Sequence, residues 1–213
     1  MIYELRTYTL ATGTTGKYLQ LSRDVGREIR GDRYGKLEGA WASEFATAGQ
    51  YVHLWSYADL NERARLSEEL SLNERWRNEY IAQVRPLQQA QVNKILRPVD
   101  GIPFASPGAG KHVYELRTYQ LFVGRASEWL AAFKEVLPVR QTYSPLVGMW
   151  TTDIGPLNQI VHLWAYDDLN HRTEARARAA EDPAWQAFLA KVVSLVQVPH
   201  STILYPAPTS PLQ

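Results

Sequence analysis

The stretch IYELRTYTL at residues 2–10 returns as VYELRTYQL at residues 113–121, and VHLWSYADLNER at 52–63 returns as VHLWAYDDLNHR at 161–172. The first pair agrees at seven of nine positions and the second at nine of twelve. Both copies also end alike, as ILRP at 95–98 and ILYP at 203–206. Self-similarity in the same order along a chain indicates that one structural unit is repeated, so the sequence predicts two copies of one module.

The order of predicted elements is the same in both copies. In the first copy, hydrophobic periodicity predicts strands at about 2–10, 38–46, 50–57 and 90–97 and helices at about 15–30, 60–70 and 73–86. Ala48-Gly49 is expected to form the hairpin turn. Asp59 is expected to cap the second helix, and Asp182-Pro183 marks a helix start in the second copy. The resulting order is β-α-β-β-α-β.

This order is that of the ferredoxin-like unit, an antiparallel sheet with its helices on one face. The other face must be buried by a partner, and a second copy on the same chain can supply it. The predicted fold class is therefore α+β, with two ferredoxin-like β-α-β-β-α-β repeats closing into one barrel. Because two fused copies already complete a barrel, a monomer is favoured over a homodimer.

The predicted domain boundaries follow the repeats. Repeat 1 covers residues 1–98, a linker covers 99–111, repeat 2 covers 112–206, and a tail covers 207–213. The stretch from Pro98 to Lys111 holds three prolines and three glycines, which is a linker composition. The tail is expected to be loose or to lie on the surface.

Composition excludes several classes of function. The net charge is +1, from 23 basic and 22 acidic residues, so no basic excess favours nucleic acid or an anionic membrane. There is no cysteine, the five histidines lack close ligand spacing, and neither a glycine-rich phosphate loop nor a GxSxG motif occurs. We therefore expect neither a metal nor another cofactor. The chain opens directly on a strand and has no apolar run near the roughly 20 residues of a membrane span, so a cytoplasmic location is expected.

Polar residues of the repeated strands form the candidate catalytic set. Strand periodicity places Glu4, Arg6 and Tyr8 on one face of the first strand and Tyr51, His53, Trp55 and Tyr57 on one face of the third. The first and third strands of a ferredoxin-like unit are adjacent, so these faces should join. An arginine can hold a carboxylate or enolate, a histidine near its ordinary pKa can move a proton, and a carboxylate can orient the histidine. The candidate catalytic residues are Glu115, Arg117, His162, Glu4, Arg6 and His53.

Aromatic and neighbouring residues form the candidate substrate-binding set. Seven tryptophans and twelve tyrosines are many for 213 residues, and such density either fills a core or lines an apolar pocket. The candidates are Tyr8, Trp55, Tyr119, Trp150, Trp164, Asp153 and Tyr143.

A structural interpretation competes with both sets. Glu and Arg two residues apart on a strand commonly form an ion pair, and strand aromatics commonly pack in a core. Residues retained in both copies are also what a pseudo-symmetric scaffold needs. The unshared segments 27–34 and 134–144, with Asp153 in place of Glu44, are therefore where a specialised function is expected.

The repeated pieces YELRTY and VHLWSYADLNER, at this spacing, resemble the NIPSNAP family of the dimeric α+β barrel superfamily. The resemblance covers both copies and implies an intramolecular dimeric α+β barrel. The wider superfamily includes cofactor-free oxygenases, polyketide cyclases, muconolactone-type isomerases and haem-binding oxidases, whose ligands usually sit between the sheet and its helices. Eukaryotic members are tied to mitochondria and vesicles, and this sequence shows no transit-peptide pattern at its start.

Three functional hypotheses follow from the residues and the resemblance. The leading one is a barrel that binds a small aromatic or polyketide-like molecule and acts as a metal-free and nucleotide-free cyclase, isomerase or oxygenase of secondary metabolism. The first alternative is a non-catalytic ligand-binding or scaffold protein. The second is a haem-handling protein, with His171 on a helix as the candidate axial ligand, although its counterpart Glu62 has the character of a surface residue.

Overall fold

A computed structural model of the protein describes residues 1–45 and 47–213. Repeat 1 contains the following elements: β1 Ile2–Leu10, α1 Thr15–Leu21 continued by a π-helical turn Ser22–Gly26 and by Arg27–Arg30, β2 Lys36–Ser43, β3 Gln50–Tyr57, α2 Leu60–Leu72, α3 made of a π-helical turn Trp76–Ile81 and Ala82–Val84 and followed by a 3-10 turn Arg85–Leu87, and β4 Gln88–Pro98. Repeat 2 contains the following elements: β5 Val113–Leu121, α4 Ala126–Gln141, β6 Leu146–Ile154, β7 Gln159–Tyr166, α5 Leu169–Glu181, α6 Pro183–Val192 followed by a 3-10 turn Val193–Leu195, and β8 Val196–Pro206.

The strands connect in the hydrogen-bonded order β1-β3-β2-β8-β5-β7-β6-β4, a closed barrel. The predicted α+β class, the two β-α-β-β-α-β repeats and the barrel are confirmed. The predicted strand at 38–46 is β2, which begins at Lys36 and ends at Ser43, and its expected end at residue 46 lies outside the described residues. Among the residues that are described, no helix is both long and apolar enough to cross a membrane.

The helix starts follow local chemistry. The Asp59 side chain accepts a hydrogen bond from the backbone N–H of Glu62 at 2.9 Å, which caps α2. Asp182 accepts the backbone N–H groups of Ala184 and Trp185, with Pro183 at the first helical position of α6. Both predicted caps are confirmed, since each satisfies backbone donors that a helix start leaves free.

Pairing of the first and third strands of each repeat brings the predicted polar faces together. In β1 and β3, Arg6 lies opposite His53 and Glu4 lies opposite Trp55. In β5 and β7, Arg117 lies opposite His162 in the same register. The predicted adjacency of these strands is therefore confirmed in both repeats.

The chain forms two compact units. Unit 1 consists of Met1–Arg97 with Leu204–Gln213, and unit 2 consists of Pro98–Ile203. Within unit 1, the backbone N–H of Ala207 donates to the carbonyl of Ala40 at 2.8 Å, and the Ala40 N–H donates to the Ser210 hydroxyl at 3.0 Å. The tail is thus packed and bonded rather than loose. The predicted boundaries of repeats, linker and tail stay a prediction.

Candidate functional site

A cavity of about 250 Å³ lies in unit 1 between the polar face of β1 and β3 and the helices that cover it. We call this cavity the unit 1 cleft. Its aromatic lining is Tyr8, Tyr18, Tyr51, Trp55, Tyr57, Trp76 and Tyr80, and its polar lining includes Arg6, Ser22, Arg30, His53 and Gln88. The arrangement matches what is typical of small-molecule sites, which are mostly apolar with a few placed polar groups.

His53 lies at the floor of the unit 1 cleft and is 4% exposed. Its Nδ1 accepts a hydrogen bond from the indole N–H of Trp55 at 2.7 Å, whereas its Nε2 has no partner among the described residues. Burial, followed by the positive charges of Arg6 and Arg30, holds the pKa of His53 well below its ordinary value. His53 is therefore neutral near pH 7, and the expectation of a histidine that titrates close to neutrality is wrong here.

Arg30 supplies a buried positive charge beside the cleft. Its guanidinium carbon lies 3.4 Å from the centre of the Trp55 ring, and its Nη2 donates to the Tyr57 hydroxyl at 3.0 Å and to the Tyr34 carbonyl at 3.1 Å. It has no ion-pair partner among the residues that the structure describes. Burial lowers the pKa of Arg30, but an arginine keeps its proton in proteins. The cleft therefore contains a cation that an anionic ligand would neutralise.

Glu4 belongs to a structural ion-pair network. It is fully buried, its carboxylate lies 3.0 Å from Nε of Arg6, and it also accepts a hydrogen bond from Arg63. Burial would raise the pKa of Glu4, but the arginine charges and hydrogen bonds outweigh it and lower the pKa. A carboxylate held in this way is a weak base, so the geometry favours the structural interpretation of the Glu4–Arg6 pair.

The same network recurs in unit 2. Glu115 lies 3.1 Å from Nε of Arg117 and 2.7 Å from Nη2 of Arg172. Burial opposes ionisation of Glu115, but the two arginines prevail and lower its pKa to about 2. Neither Glu115 nor Glu4 is placed to accept a proton from a ligand at neutral pH.

Unit 2 repeats the histidine arrangement under a cover of aromatic rings. The Trp164 indole N–H donates to Nδ1 of His162 at 2.7 Å, and burial again holds the pKa of His162 well below its ordinary value. The expected near-neutral pKa is thus wrong for His162 as well. Over this histidine the rings of Trp129 and Phe133 stack at 4.9 Å, and Phe188 packs 5.7 Å from both. These side chains belong to a continuous hydrophobic cluster, which we call the unit 2 core.

The remaining candidate residues are not gathered into one site. Tyr119 and Trp164 pack in the unit 2 core. Trp150 lies opposite Val161 in β6 and β7, and therefore on the other face of the sheet from His162, which lies opposite Met149. The prediction that Trp150 binds substrate stays a prediction.

Two further candidates lie away from the histidine. The Tyr143 hydroxyl donates to the Asp182 carboxylate at 2.8 Å, where it supports the start of α6. Asp153 lies in β6 beyond Thr151, the last residue of that strand paired with β7.

His171 serves the start of α5. Its Nδ1 accepts the backbone N–H of Asp167 at 3.2 Å and lies 3.2 Å from the Asp167 carboxylate. Across residues 1–45 and 47–213, no three His, Cys, Asp or Glu side chains are grouped so that they could hold a metal ion. These contacts are those of a local helix-start network.

Sequence reasoning missed the helix residues that open the cleft, above all Tyr18, Ser22 and Tyr80. The Ser22 and Tyr80 hydroxyls share a hydrogen bond of 2.9 Å, and Gln88 donates to the Tyr18 hydroxyl at 3.1 Å. The available signal was the comparison of the helices of the two copies, where Tyr18 and Ser22 stand at the positions of Trp129 and Phe133.

Comparison with known proteins identifies the family. The NIPSNAP sequence profile matches residues 3–103 and 114–211, one match for each repeat. The chain belongs to the NIPSNAP family. Protein NipSnap homolog 1 of Danio rerio is 31% identical over 221 residues, an alignment that covers all of this chain and 77% of the relative. The predicted family resemblance is therefore confirmed.

Solved structures share the fold of this NIPSNAP protein. A proposed monooxygenase from Fusobacterium nucleatum gives a TM-score of 0.70 at 9% identity, covering all of this chain and 97% of that chain. An anthrone oxidase-like protein gives a TM-score of 0.66 at 11% identity, covering 96% and 90%. At such low identity these likenesses show a common fold and nothing of a common ligand.

Proposed function

We propose that the unit 1 cleft binds a small aromatic or polyketide-like molecule, and that any chemistry of this NIPSNAP protein takes place there. The observation that carries the proposal is the cavity of about 250 Å³, lined by aromatic rings and open beside Arg30 and His53. A dry cavity of about 150 Å³ holds benzene, and drug-sized ligands occupy about 300–1,000 Å³. The expected ligand is thus a substituted single ring or a small fused ring.

The side chains around the cleft donate hydrogen bonds but offer no strong base. Glu4 is ionised and held by arginines, and His53 is neutral with its Nδ1 already occupied. Burial raises the pKa of the Tyr18 and Tyr57 phenols, so both keep their protons at neutral pH. Such a lining stabilises negative charge on a ligand that is already acidic.

This chemistry suits a cyclase, an isomerase or an O₂-using oxygenase acting on a readily ionised phenol or enol, with no role assigned to a metal or nucleotide. It also suits the alternative of a non-catalytic binding protein, because neither Glu4 nor His53 is placed to accept a proton from a ligand. Incubation of the protein with a naphthol under air separates the two. A product of changed mass or changed structure supports catalysis, and recovery of the bound, unchanged naphthol supports a binding protein.

The Ser22→Phe variant tests whether the cavity is a binding site. It introduces the residue that unit 2 carries at the equivalent position, and its ring should fill the cleft. We expect naphthoate to quench the tryptophan fluorescence of the wild-type protein in a saturable way and to lose that effect in S22F. Ser127→Phe, the same change at an exposed helix position in unit 2, is the matched control. Equal naphthoate binding by S22F and S127F would contradict the proposal.

A further inference from the structure

Trp55 contacts two of the polar residues that line the unit 1 cleft. Its indole N–H donates to Nδ1 of His53 at 2.7 Å, and its ring face carries the Arg30 guanidinium at 3.4 Å. An indole nitrogen only donates, so Nδ1 of His53 must be the acceptor. A neutral histidine has one proton on its ring, which places that proton on Nε2. The contact with Trp55 therefore fixes His53 as a donor through Nε2.

Nε2 has no hydrogen-bond partner among the described residues in either His53 or its counterpart His162. The difference lies in the surroundings, because His53 lines the cavity whereas His162 lies under aromatic rings. His162 is surrounded by Tyr119 at 4.9 Å, Trp129 at 6.0 Å and Phe133 at 6.1 Å between ring centres. In unit 1 the position of Phe133 is occupied by Ser22, and the space holds the cavity. A buried donor without a partner is uncommon in proteins, and where it borders a cavity a ligand can satisfy it.

Arg30 and its counterpart in unit 2 each make two side-chain hydrogen bonds, but Arg30 makes both of them through Nη2. That counterpart, Arg140, donates from Nη1 to the Ser144 hydroxyl at 2.8 Å and from Nη2 to the Tyr166 hydroxyl at 3.3 Å. Gly35 stands at the position of Ser144 in repeat 1. Nε of Arg30 has no hydrogen-bond partner within the described part of the chain. Nη1, which Arg140 uses within unit 2, makes no hydrogen bond in Arg30 among the described residues.

We infer that His53 Nε2–H and Arg30 form an anchor for a negatively charged oxygen of the ligand, and that Trp55 is the residue that positions both. The inference rests on the proposed function of the cleft and names its ligand class: planar aromatic molecules that carry a carboxylate, phenolate or enolate. The histidine donates its hydrogen bond and keeps its proton, and the arginine supplies the charge. Neutral molecules of the same shape are bound more weakly.

The first test measures the histidine without any ligand. Nitrogen chemical shifts of isotope-labelled histidine should show His53 with an unprotonated Nδ1 and a protonated Nε2, unchanged between about pH 5 and 8, where an ordinary histidine titrates. In Trp55→Phe the donor to Nδ1 is absent, so the His53 signals should move toward a mixture of tautomers. Trp164→Phe is the matched control and should move the His162 signals alone. A His53 that carries its proton on Nδ1, or that titrates near neutrality, overturns the inference.

The second test compares two probes of nearly equal shape on the wild-type protein. Naphthoate carries a carboxylate and naphthylmethanol carries a neutral hydroxyl. The anchor predicts that naphthoate binds about tenfold tighter or more, because charge-assisted hydrogen bonds are about twice as strong as neutral ones. Arg30→Gln should remove this preference, and Arg23→Gln, at an exposed position on the same helix, should retain it.

The outcomes separate the inference from the proposed function. If both probes bind the wild-type protein equally, the anchor is wrong while the cleft remains a binding site. If neither probe binds, the proposed function fails and the anchor falls with it, whatever tautomer His53 shows. If naphthoate is preferred by wild type and by R30Q alike, the charge lies elsewhere and the inference is wrong.

Discussion

The unit 1 cleft and the unit 2 core are built on the same floor but have different covers. Both floors carry a glutamate, an arginine, a histidine and a tryptophan in one strand register. The covers differ at three equivalent pairs of positions, which are Tyr18 and Trp129, Ser22 and Phe133, and Tyr80 and Phe188. The polar floor is therefore scaffold common to both units, and the covering helices determine whether a cavity forms above it.

A one-residue insertion accompanies the altered cover in the first helix. Equivalent residues are 111 positions apart at Tyr8 and Tyr119 and 110 apart at Arg30 and Arg140. Between these positions α1 contains the π-helical turn Ser22–Gly26, whereas the helix of repeat 2 is a continuous α-helix. A π turn holds one extra residue within a helix and often occurs at functional sites.

A second insertion lies in the other covering helix. Equivalent residues are 109 positions apart at Trp76 and Trp185 and 108 apart at Ile95 and Ile203. The π-helical turn Trp76–Ile81 lies at this point of α3. Two separate insertions, each in a helix that lines the same cavity, support the view that unit 1 is the specialised half of the protein.

The largest expected effect comes from a substitution that creates a cavity in the unit 2 core and so makes it resemble the unit 1 cleft. Phe133 is 1% exposed, and Phe133→Ser removes a ring that packs against Trp129, Phe188 and His162. We expect the free energy of unfolding to fall by about 4 kcal/mol, since a buried phenylalanine truncated to a small residue costs about 3–5 kcal/mol. Urea unfolding measures this loss, and naphthoate should partly reverse it by occupying the new space.

Two outcomes would contradict that expectation. A loss below about 1 kcal/mol would show that the unit 2 core collapses onto the gap, and no cavity would remain. If Ser22→Phe lowered the unfolding free energy as much as Phe133→Ser, the unit 1 cleft would have no room for a ring. Exposed Ser127→Ala in the same helix of unit 2 is the control for helix effects.

Because both units have the same buried glutamate and arginine on their strands, equivalent substitutions of the glutamate should destabilise the protein equally. Glu4→Gln and Glu115→Gln each leave buried arginines without their carboxylate, and breaking a buried ion pair costs about 3 kcal/mol or more. We expect similar losses of unfolding free energy for both variants. Exposed Glu69→Gln, whose partner Arg65 is also exposed, should cost less than about 1 kcal/mol. A loss confined to E115Q would mean that Glu4 has a role other than structure.

Lowering the pH should destabilise the protein through the ion pairs of Glu115. The pKa of Glu115 is lowered in the folded protein to about 2, below its ordinary value near 4.5, so the unfolded chain binds the proton first. A depressed carboxylate contributes stability above its unfolded pKa and loses it as the pH falls through the folded pKa. The unfolding free energy should therefore decline between about pH 4.5 and 2. E115Q should decline less steeply over that range, and parallel curves for E115Q and wild type would contradict the assignment.

Much of the fold follows from the sequence, because strand and helix patterns are local and are written twice. The adjacency of β1 and β3, and the shared face of Arg6 and His53, follow from period two and from the known order of the unit. The low pKa of His53 does not follow, since it depends on burial, on Arg6, and on Arg30, which approaches from a helix. Arg30 lies in the segment 27–34 marked as unshared, yet it has an equivalent in Arg140.

The opening of the cleft escaped sequence reasoning for a physical reason. Apolar residues three or four positions apart, such as Tyr18, Leu21 and Val25, fit an α-helix with or without a π turn, so periodicity indicates an ordinary helix over 15–30. The decisive residues Ser22 and Tyr80 also lie outside the segments that differ most between the copies. An alignment of the two repeats that allows one gap in each covering helix identifies Ser22 and Tyr80 as positions where the repeats differ.

The smallest expected effect distinguishes the space in the cleft from the hydrogen bond across it. Ser22 and Tyr80 belong to the two π turns and share a hydrogen bond of 2.9 Å. Ser22→Ala removes that bond but keeps the cavity, so we expect a loss of about 1 kcal/mol in unfolding free energy. Naphthoate affinity should change by no more than about twofold. If S22A abolished binding as S22F should, the bond between the π turns, rather than the small size of residue 22, would be what holds the cleft in its open form.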